Sequence, residues 1–257
     1  MPSLAEIVQY LDATLDIAAI PDYPQALNGL QLANSGTVAR VAAAVDYSST
    51  TIDAAVRTGA QLLLVHHGMF WSGQQPITGP RFARLRTLFE HDMAVYSAHL
   101  PLDVHPVLGN NAQLASCLGL VPDSGFARYQ SIDVGLAGRA EVPTHKLVEQ
   151  MSAFARDHGG AVVATPFEPS RVTHHWGICT GAGASSSTIG EAVQRGVDTL
   201  IVGEGPHHTA VEARDLGLVI IYAGHYATET LGVRALASAL ADRFHVESSF
   251  IEAPTGL

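Results

Sequence analysis

Residues 38–68, VARVAAAVDYSSTTIDAAVRTGAQLLLVHHG, contain two apolar runs on either side of a segment with a helical pattern. The runs at 38–46 and 61–65 show little polar alternation, which is typical of strands buried on both faces of a parallel sheet. Ser48 precedes the helical segment and Gly59 closes it, so the segment carries start and stop signals. This stretch therefore predicts a β-α-β unit with parallel strands.

The alternation continues beyond this unit. FARLRTLFEHD (82–92) has a helical pattern, MAVYSA (93–98) reads as a strand and NNAQLASCLGL (110–120) as a helix. The sequence is therefore that of an α/β protein with a mostly parallel or mixed sheet.

The second half of the chain resembles the first. Residues 174–205, HHWGICTGAGASSSTIGEAVQRGVDTLIVGEG, align with 37–68 at a constant offset. The matched pairs include serines, glycines and apolar positions: Ser48 with Ser185, Thr51 with Thr188, Ile52 with Ile189, Ala55 with Ala192, Gly59 with Gly196, Leu63 with Leu200 and Gly68 with Gly205. With a slightly different offset, VYSAHLPLD (95–103) aligns with IIYAGHYATE (220–229).

We interpret this similarity as an internal repeat. It predicts two similar α/β lobes of two or three layers, 1–125 and 126–257, with 126–170 adding strands and a helix to the second. Two unrelated β-α units that merely look alike are the alternative, because such units are common.

Composition limits the classes of function. The chain has 257 residues, 47% of them hydrophobic and 15% charged, which indicates a globular protein with a core. Its formal net charge of −10, without a basic stripe rich in aromatic residues, disfavours nucleic acid as a partner. No apolar run is long enough to cross a membrane, and the N-terminus does not resemble a signal peptide. A cytoplasmic protein without a membrane partner is expected.

Candidate ligands follow the predicted strands. His66 and His67 come directly after QLLLV, at the carboxyl edge where α/β sheets bind ligands. Successive strand residues point to opposite faces, so both imidazoles can serve one site only if the chain turns there, and Gly68 would allow this. Taken alone, an HH pair is more often a pair of packed or solvated histidines than a metal site.

A second pattern occurs once in each predicted lobe. His99 and Asp103 form an HxxxD pair after one strand, and His225 and Glu229 form an HxxxE pair after its repeat counterpart. The alternative role for both carboxylates is helix N-capping. If the repeat brings these strand ends together, the imidazoles and carboxylates suit two divalent ions, which can be zinc, iron, manganese, cobalt or nickel.

The roles within such a centre differ. The metal ligands would be His66, His67, Asp103, His225 and Glu229. Glu229 is the better bridge between two ions because its side chain is longer, while His99 would act in proton transfer or contact the substrate.

In the second copy of the repeat, the HH pair is replaced by GEGPHHTA (203–210). Glu204, His207 and His208 would either orient ligands and contact the substrate, with His208 as a candidate catalytic acid, or form a polar loop with a helix beginning after Pro206.

These motifs resemble a known family. LLLVHHGMFW (62–71), YSAHLPLDVH (96–105) and AGHYATETLGVRALA (223–237), with NGLQL (28–32) near the start, are similar to the NIF-three-like family, often catalogued as GTP cyclohydrolase I type 2 homologues. The resemblance implies a dinuclear metal centre on the five ligands given above and a ring-shaped homohexamer. The length resembles that of family members without an inserted domain.

Two classes of function follow. The first is a metal-dependent hydrolase acting on a small molecule such as a nucleotide, a purine ring or a phosphoester, as in a GTP cyclohydrolase. The second is a non-catalytic metal-binding scaffold or metal-handling protein. The chain lacks a P-loop, and its one dense basic stretch, RFARLR (81–86), reads as the solvated face of a helix, which counts against a dedicated triphosphate site.

Overall fold

Two mixed β-sheets organise the protein, whose residues 1–257 are all described in a computed structural model. The helices are α1 (Leu4–Leu15), α2 (Ser49–Thr58), α3 (Gly79–Glu90), α4 (Leu100–Asp103), α5 (Asn110–Cys117), α6 (Thr144–Asp157), α7 (Ser186–Gln194), α8 (His207–Asp215) and α9 (His225–Phe244). The strands are β1 (Gly29–Leu32), β2 (Arg40–Asp46), β3 (Leu62–His67), β4 (Ala94–Ser97), β5 (Ser124–Tyr129), β6 (Ile132–Pro143), β7 (Val163–Ala164), β8 (Val172–Cys179), β9 (Thr199–Val202), β10 (Val219–Tyr222) and β11 (Glu247–Phe250).

The chain divides into two compact units. Unit 1 comprises Met1–Leu102 and Gly232–Ala253, and unit 2 comprises Asp103–Leu231 and Pro254–Leu257. These bounds, which follow spatial contacts, differ from those of the two lobes, 1–125 and 126–257, which were drawn from sequence similarity. The lobe boundary stays a prediction.

Unit 1 contains a five-stranded sheet in the order β1-β4-β3-β2-β11. In this sheet β4, β3, β2 and β11 run parallel to one another, and β1, at the edge, is antiparallel to β4. Asp46 at the end of β2 lies beside His67 at the end of β3 in the register. The carboxyl ends of the central strands therefore bring polar side chains to one edge, as the sequence predicted.

Unit 2 contains a six-stranded sheet in the order β5-β6-β8-β9-β10-β7. Its three central strands, β8, β9 and β10, are parallel, and the flanking strands are antiparallel. Strands β5, β6 and β7 and helix α6 are the elements that 126–170 was expected to add. The predicted α/β class with a mixed sheet is confirmed.

Apolar side chains cover both faces of the second sheet. Along β9, Leu200 and Val202 belong to one buried cluster, whereas Ile201 between them belongs to another. Along β10, Ile220 joins the first cluster, and Val219 and Ile221 join the second. Burial on both faces explains why these strands are continuous apolar runs in the sequence.

The same helix start occurs in both units. The Ser48 hydroxyl accepts a hydrogen bond from the Thr51 backbone N–H (3.2 Å) at the start of α2, and the Ser185 hydroxyl accepts one from Thr188 (3.1 Å) at the start of α7. The aligned serines thus have the same structural role, while the repeat as a whole stays a prediction. No helix is long and apolar enough to span a membrane.

Replacing the N-cap of α2 tests its contribution to stability. Ser48→Ala is expected to lower the free energy of unfolding by about 1 kcal/mol, because it removes the acceptor for an N-terminal N–H group. Urea denaturation measures this change. Ser49→Ala, at the exposed first position of the same helix, is the matched control, and an equal loss in both variants would contradict the assignment.

Candidate metal centre

Three imidazoles meet in unit 1, at the carboxyl ends of β3 and β4. His66, His67 and His99 are all buried, and their possible ligand atoms lie within 4.8 Å of one another. The ring centroid of His66 lies 4.8 Å from that of His67 and 4.9 Å from that of His99. This spacing is compatible with one small ion or with ligands shared between two.

Each of these rings is held at its Nδ1 atom. That of His66 contacts the Ala98 carbonyl oxygen (2.8 Å), and that of His67 contacts a carboxylate oxygen of Asp46 (2.8 Å). The His99 Nδ1 contacts Asp22 (2.9 Å). A carbonyl or an ionised carboxylate can only accept, so each Nδ1 carries the proton and donates it. In a neutral ring, the lone pair then resides on Nε2, through which imidazole binds a metal.

The Asp22 carboxylate that holds the His99 ring is itself held by further hydrogen bonds. It also accepts hydrogen bonds from the Asn28 amide (2.7 Å) and the Leu100 backbone N–H (2.9 Å). Burial by itself would raise the pKa of Asp22, but the hydrogen bond and charge of His99, with smaller contributions from Asn28 and Tyr23, lower it overall. Asp22 is therefore anionic at neutral pH.

The second group lies in unit 2, at the carboxyl ends of β9 and β10. His225 is the first residue of α9, and Glu229 follows one helical turn later, with 3.1 Å between His225 Nε2 and Glu229 Oε2. The His225 Nδ1 contacts Glu204 (2.8 Å), which follows β9. Burial alone would lower the pKa of His225, but Glu229 and Glu204 outweigh it and raise the pKa to about 9.

Gly181, just after β8, lies against this group. Its backbone has a positive φ of 61°, and a Cβ atom there would collide with the Glu229 carboxylate. Its N–H donates to the Thr228 hydroxyl (3.1 Å), and its carbonyl accepts from the Glu204 N–H (2.8 Å). The position thus links the ends of β8 and β9 to the first turn of α9 and leaves no room for a side chain.

Asp103 is buried in unit 2 at the end of α4. Its carboxylate accepts a hydrogen bond from the Asn110 amide (2.8 Å). The Asn111 amide donates to the Asp103 backbone carbonyl (3.3 Å) and accepts from the Thr180 N–H (2.9 Å). Asp103 is thereby tied to the loop that leads to Gly181.

The donor set fits borderline divalent ions. It consists of imidazoles and buried carboxylates, which suit zinc, iron, manganese, cobalt and nickel. Burial, with the charges of Asp103, Glu191 and Glu229, raises the pKa of the nearby Cys179 thiol to about 12.

Comparison with known proteins shows the family to which the chain belongs. The model of the Duf34/NIF3 (NGG1p interacting factor 3) family matches residues 2–255. The chain belongs to the DUF34/NIF3 family. A Deinococcus radiodurans protein named GTP cyclohydrolase 1 type 2 homolog is 40% identical over 252 residues, which cover 98% of this chain and 94% of the relative.

Solved DUF34/NIF3 relatives share the fold over the whole chain. A structure described as protein ybgI, of unknown function, has a TM-score of 0.88 and 37% identity, and covers 99% of this chain and 100% of its own. A Thermus thermophilus structure has a TM-score of 0.81 and 34% identity at the same coverage. The resemblance drawn from the sequence motifs is confirmed.

The predicted site residues of this DUF34/NIF3 chain occur in both units. His66, His67 and His99 meet in unit 1, and His225 and Glu229 meet in unit 2. His207 and His208 form the exposed first turn of α8, outside both groups, so the helix expected after Pro206 is present. The catalytic role of His208 stays a prediction, as do the individual metal-binding roles.

Two expectations about local structure need revision. Both His66 and His67 lie within β3. The turn begins only after them, at Gly68, whose carbonyl accepts a hydrogen bond from the Trp71 N–H (3.3 Å). Gly68 does not adopt a positive φ; it is a glycine because a Cβ would collide with the side chain of Gln31.

Neither carboxylate caps a helix. Asp103 ends α4, and the N-cap of α5 is Gly109. Glu229 lies inside α9 and faces His225, so both carboxylates belong to buried polar groups instead.

Sequence reasoning missed the residues that hold the imidazoles in unit 1. Asp46 could have been found, because it ends the strand next to β3 in the predicted sheet. Asp22 and Asn28 lie in the segment between α1 and β1, which carries no pattern that points to His99. Glu204 was considered, and it does orient His225.

Removing the charge of Asp46 tests the role of these acceptors. Asp46→Asn is expected to weaken metal binding by about 10- to 100-fold, because an uncharged amide is a weaker acceptor for the His67 Nδ1–H and can also turn its NH2 group towards that atom. Competition with a chelator measures the affinity. Asp53→Asn, which makes the same charge change on the exposed side of α2, is the control and should bind metal as the wild type does.

A methyl group at Gly181 tests the packing around Glu229. Gly181→Ala is expected to displace the Glu229 carboxylate and reduce the metal bound per chain, measured by elemental analysis. Gly190→Ala is the control because open space surrounds Gly190 on α7, and there alanine should stabilise the helix by roughly 0.5–1 kcal/mol. Full metal content in Gly181→Ala would contradict this account.

Proposed function

We propose that the protein is a hydrolase that uses two divalent metal ions. The observation that carries the proposal is the common arrangement of four histidines. Each lies in the last two residues of a parallel strand or shortly after one, and each has its Nδ1 within 2.9 Å of an acceptor. Such pairing fixes the tautomer and orientation of metal-binding histidines.

His66 and His67 would supply ligands from unit 1, and Asp103, His225 and Glu229 from unit 2. The predicted repeat supports this combination, since it makes the strand ends that carry Asp103 and Glu229 equivalent. Glu229 is proposed as the bridging ligand because its carboxylate is buried and its side chain is longer than that of aspartate.

The chemistry that two divalent ions supply in such a centre is activation of water near neutral pH and polarisation of a carbonyl or phosphoryl oxygen. His99 is proposed to handle a proton. With Asp22 holding Nδ1, its Nε2 is the atom that takes a proton from the attacking water or gives one to the leaving group. His208 is a second candidate acid, at the exposed start of α8.

The relatives' printed name suggests a nucleotide substrate such as GTP, and we carry this over as a proposal. The basic stretch 81–86 lies on α3, where Arg86 pairs with Glu90 (3.6 Å) and Arg84 lies over the ring of Tyr47 (5.4 Å). Arg81 lies over the ring of Phe70 (5.9 Å), so all three arginines of the stretch are engaged within the protein. A purine ring or a phosphoester bond is therefore as suitable a target as a triphosphate. A homohexamer, as the family resemblance implies, is proposed as the assembly.

Replacement of Glu229 tests the function. Protein purified without chelators is expected to hold about two ions per chain by elemental analysis. Glu229→Gln should lose metal and slow hydrolysis by about 100-fold, because an amide is a weaker ligand and cannot bridge two cations. The substrates are nucleotides, purine nucleosides and phosphodiesters, tested with metal-loaded protein.

Glu90→Gln, on the exposed surface of α3, is the matched control and should retain metal and activity. Full activity of Glu229→Gln would refute the proposed centre. If no substrate is turned over and metal removal only dissociates the oligomer, the non-catalytic scaffold is correct instead.

A further inference from the structure

Trp71 covers the histidine cluster of unit 1. Its ring centroid lies 4.8 Å from that of His67 and 4.6 Å from that of His99. Trp71 is nevertheless 40% exposed. One part of the indole thus packs on two buried imidazoles, while another part faces solvent.

Tyr23 adds a second ring at the same place. Its centroid lies 6.0 Å from that of His99 and 6.5 Å from that of Trp71, nearly perpendicular to the indole at 87°. Tyr23 is 47% exposed, and its backbone N–H donates to the Asp22 carboxylate (2.6 Å) that also holds His99. The position of this ring is therefore coupled to that of the imidazole beneath it.

We propose that Trp71 and Tyr23 form a stacking subsite for a planar heteroaromatic ring of the substrate. Leaving large aromatic surfaces in water is unfavourable, and two such surfaces beside one cluster of buried imidazoles present a ready platform. Stacking a nucleobase on an aromatic side chain contributes about 1–3 kcal/mol and does not require a particular base.

Aromatic faces also attract organic cations, but this site disfavours them. Here the inference rests on the proposed function: divalent ions held by His66 and His67 would repel a cation bound over Trp71. A neutral, flat ring meets no such repulsion. Because Trp71 contacts His67 and His99 directly, a ring stacked on it lies next to the imidazoles. The bond that is hydrolysed therefore belongs to this ring or to an atom attached to it.

Intrinsic fluorescence isolates this subsite. The chain has two tryptophans, and the other, Trp176, is fully buried in unit 2. Guanosine is expected to quench the emission of Trp71 in a saturable way, whereas ribose 5-phosphate, which has no aromatic ring, should not. The titration is performed on both metal-free and metal-loaded protein.

Variants then assign the binding to the two rings. By equilibrium dialysis, Trp71→Leu and Tyr23→Leu should each bind guanosine about 10-fold more weakly, while Tyr23→Phe, which keeps the ring, should bind it normally. Phe89→Leu, at an aromatic residue of α3 that is still more exposed, is the matched control. Unchanged metal content in Trp71→Leu shows that the histidine cluster is intact.

The outcomes separate this inference from the proposed function. Equal guanosine affinity in the wild type and Trp71→Leu, or equal quenching by ribose 5-phosphate, would overturn the stacking subsite even if metal is bound and hydrolysis occurs. Guanosine binding by a protein that takes up no metal under any loading condition would support the subsite and count against the hydrolase.

Discussion

The hydrogen bond at Nδ1 of each site histidine is the interaction on which the rest of the centre depends. A buried polar group without a partner costs about 1–3 kcal/mol, so burying His66, His67 and His99 together requires an acceptor for each. A backbone carbonyl serves His66, and carboxylates serve the other two. These hydrogen bonds offset the cost of burying the imidazoles. They also determine that Nε2 carries the lone pair, so the same contacts stabilise the fold and prepare the rings to bind a metal.

Parallel strands explain why such bonds can form at all. Neighbouring parallel strands end at the same edge, so Asp46 and His67, far apart in sequence, lie side by side. In unit 2, the loops after β8, β9 and β10 carry Gly181, Glu204 and His225 to one place in the same way. The sheet thus places Asp46 beside His67, whereas Asp22, the acceptor for His99, comes from the irregular segment between α1 and β1.

Local patterns in the sequence were sufficient to predict the helices and strands, but not the residues that hydrogen-bond to the site histidines. Two-sided burial makes β3 and β9 continuous apolar runs, and the serine caps mark the starts of α2 and α7, so these were predictable. The contact of Asp22 with His99 joins residues 77 positions apart through an irregular segment, and no periodicity encodes it. The crowding at Gly68 and Gly181 likewise depends on neighbours that only the folded chain brings near.

The close packing around Gly181 restricts which substitutions the sequence can accept at this position. Every other amino acid carries a Cβ, so no single replacement at this position leaves the neighbouring carboxylate in place. A replacement there therefore displaces a buried carboxylate unless Glu229 changes as well. Gly190, with empty space around it, can be replaced without such a second change. Two glycines in adjoining segments of one chain thus differ completely in the evolutionary routes open to them.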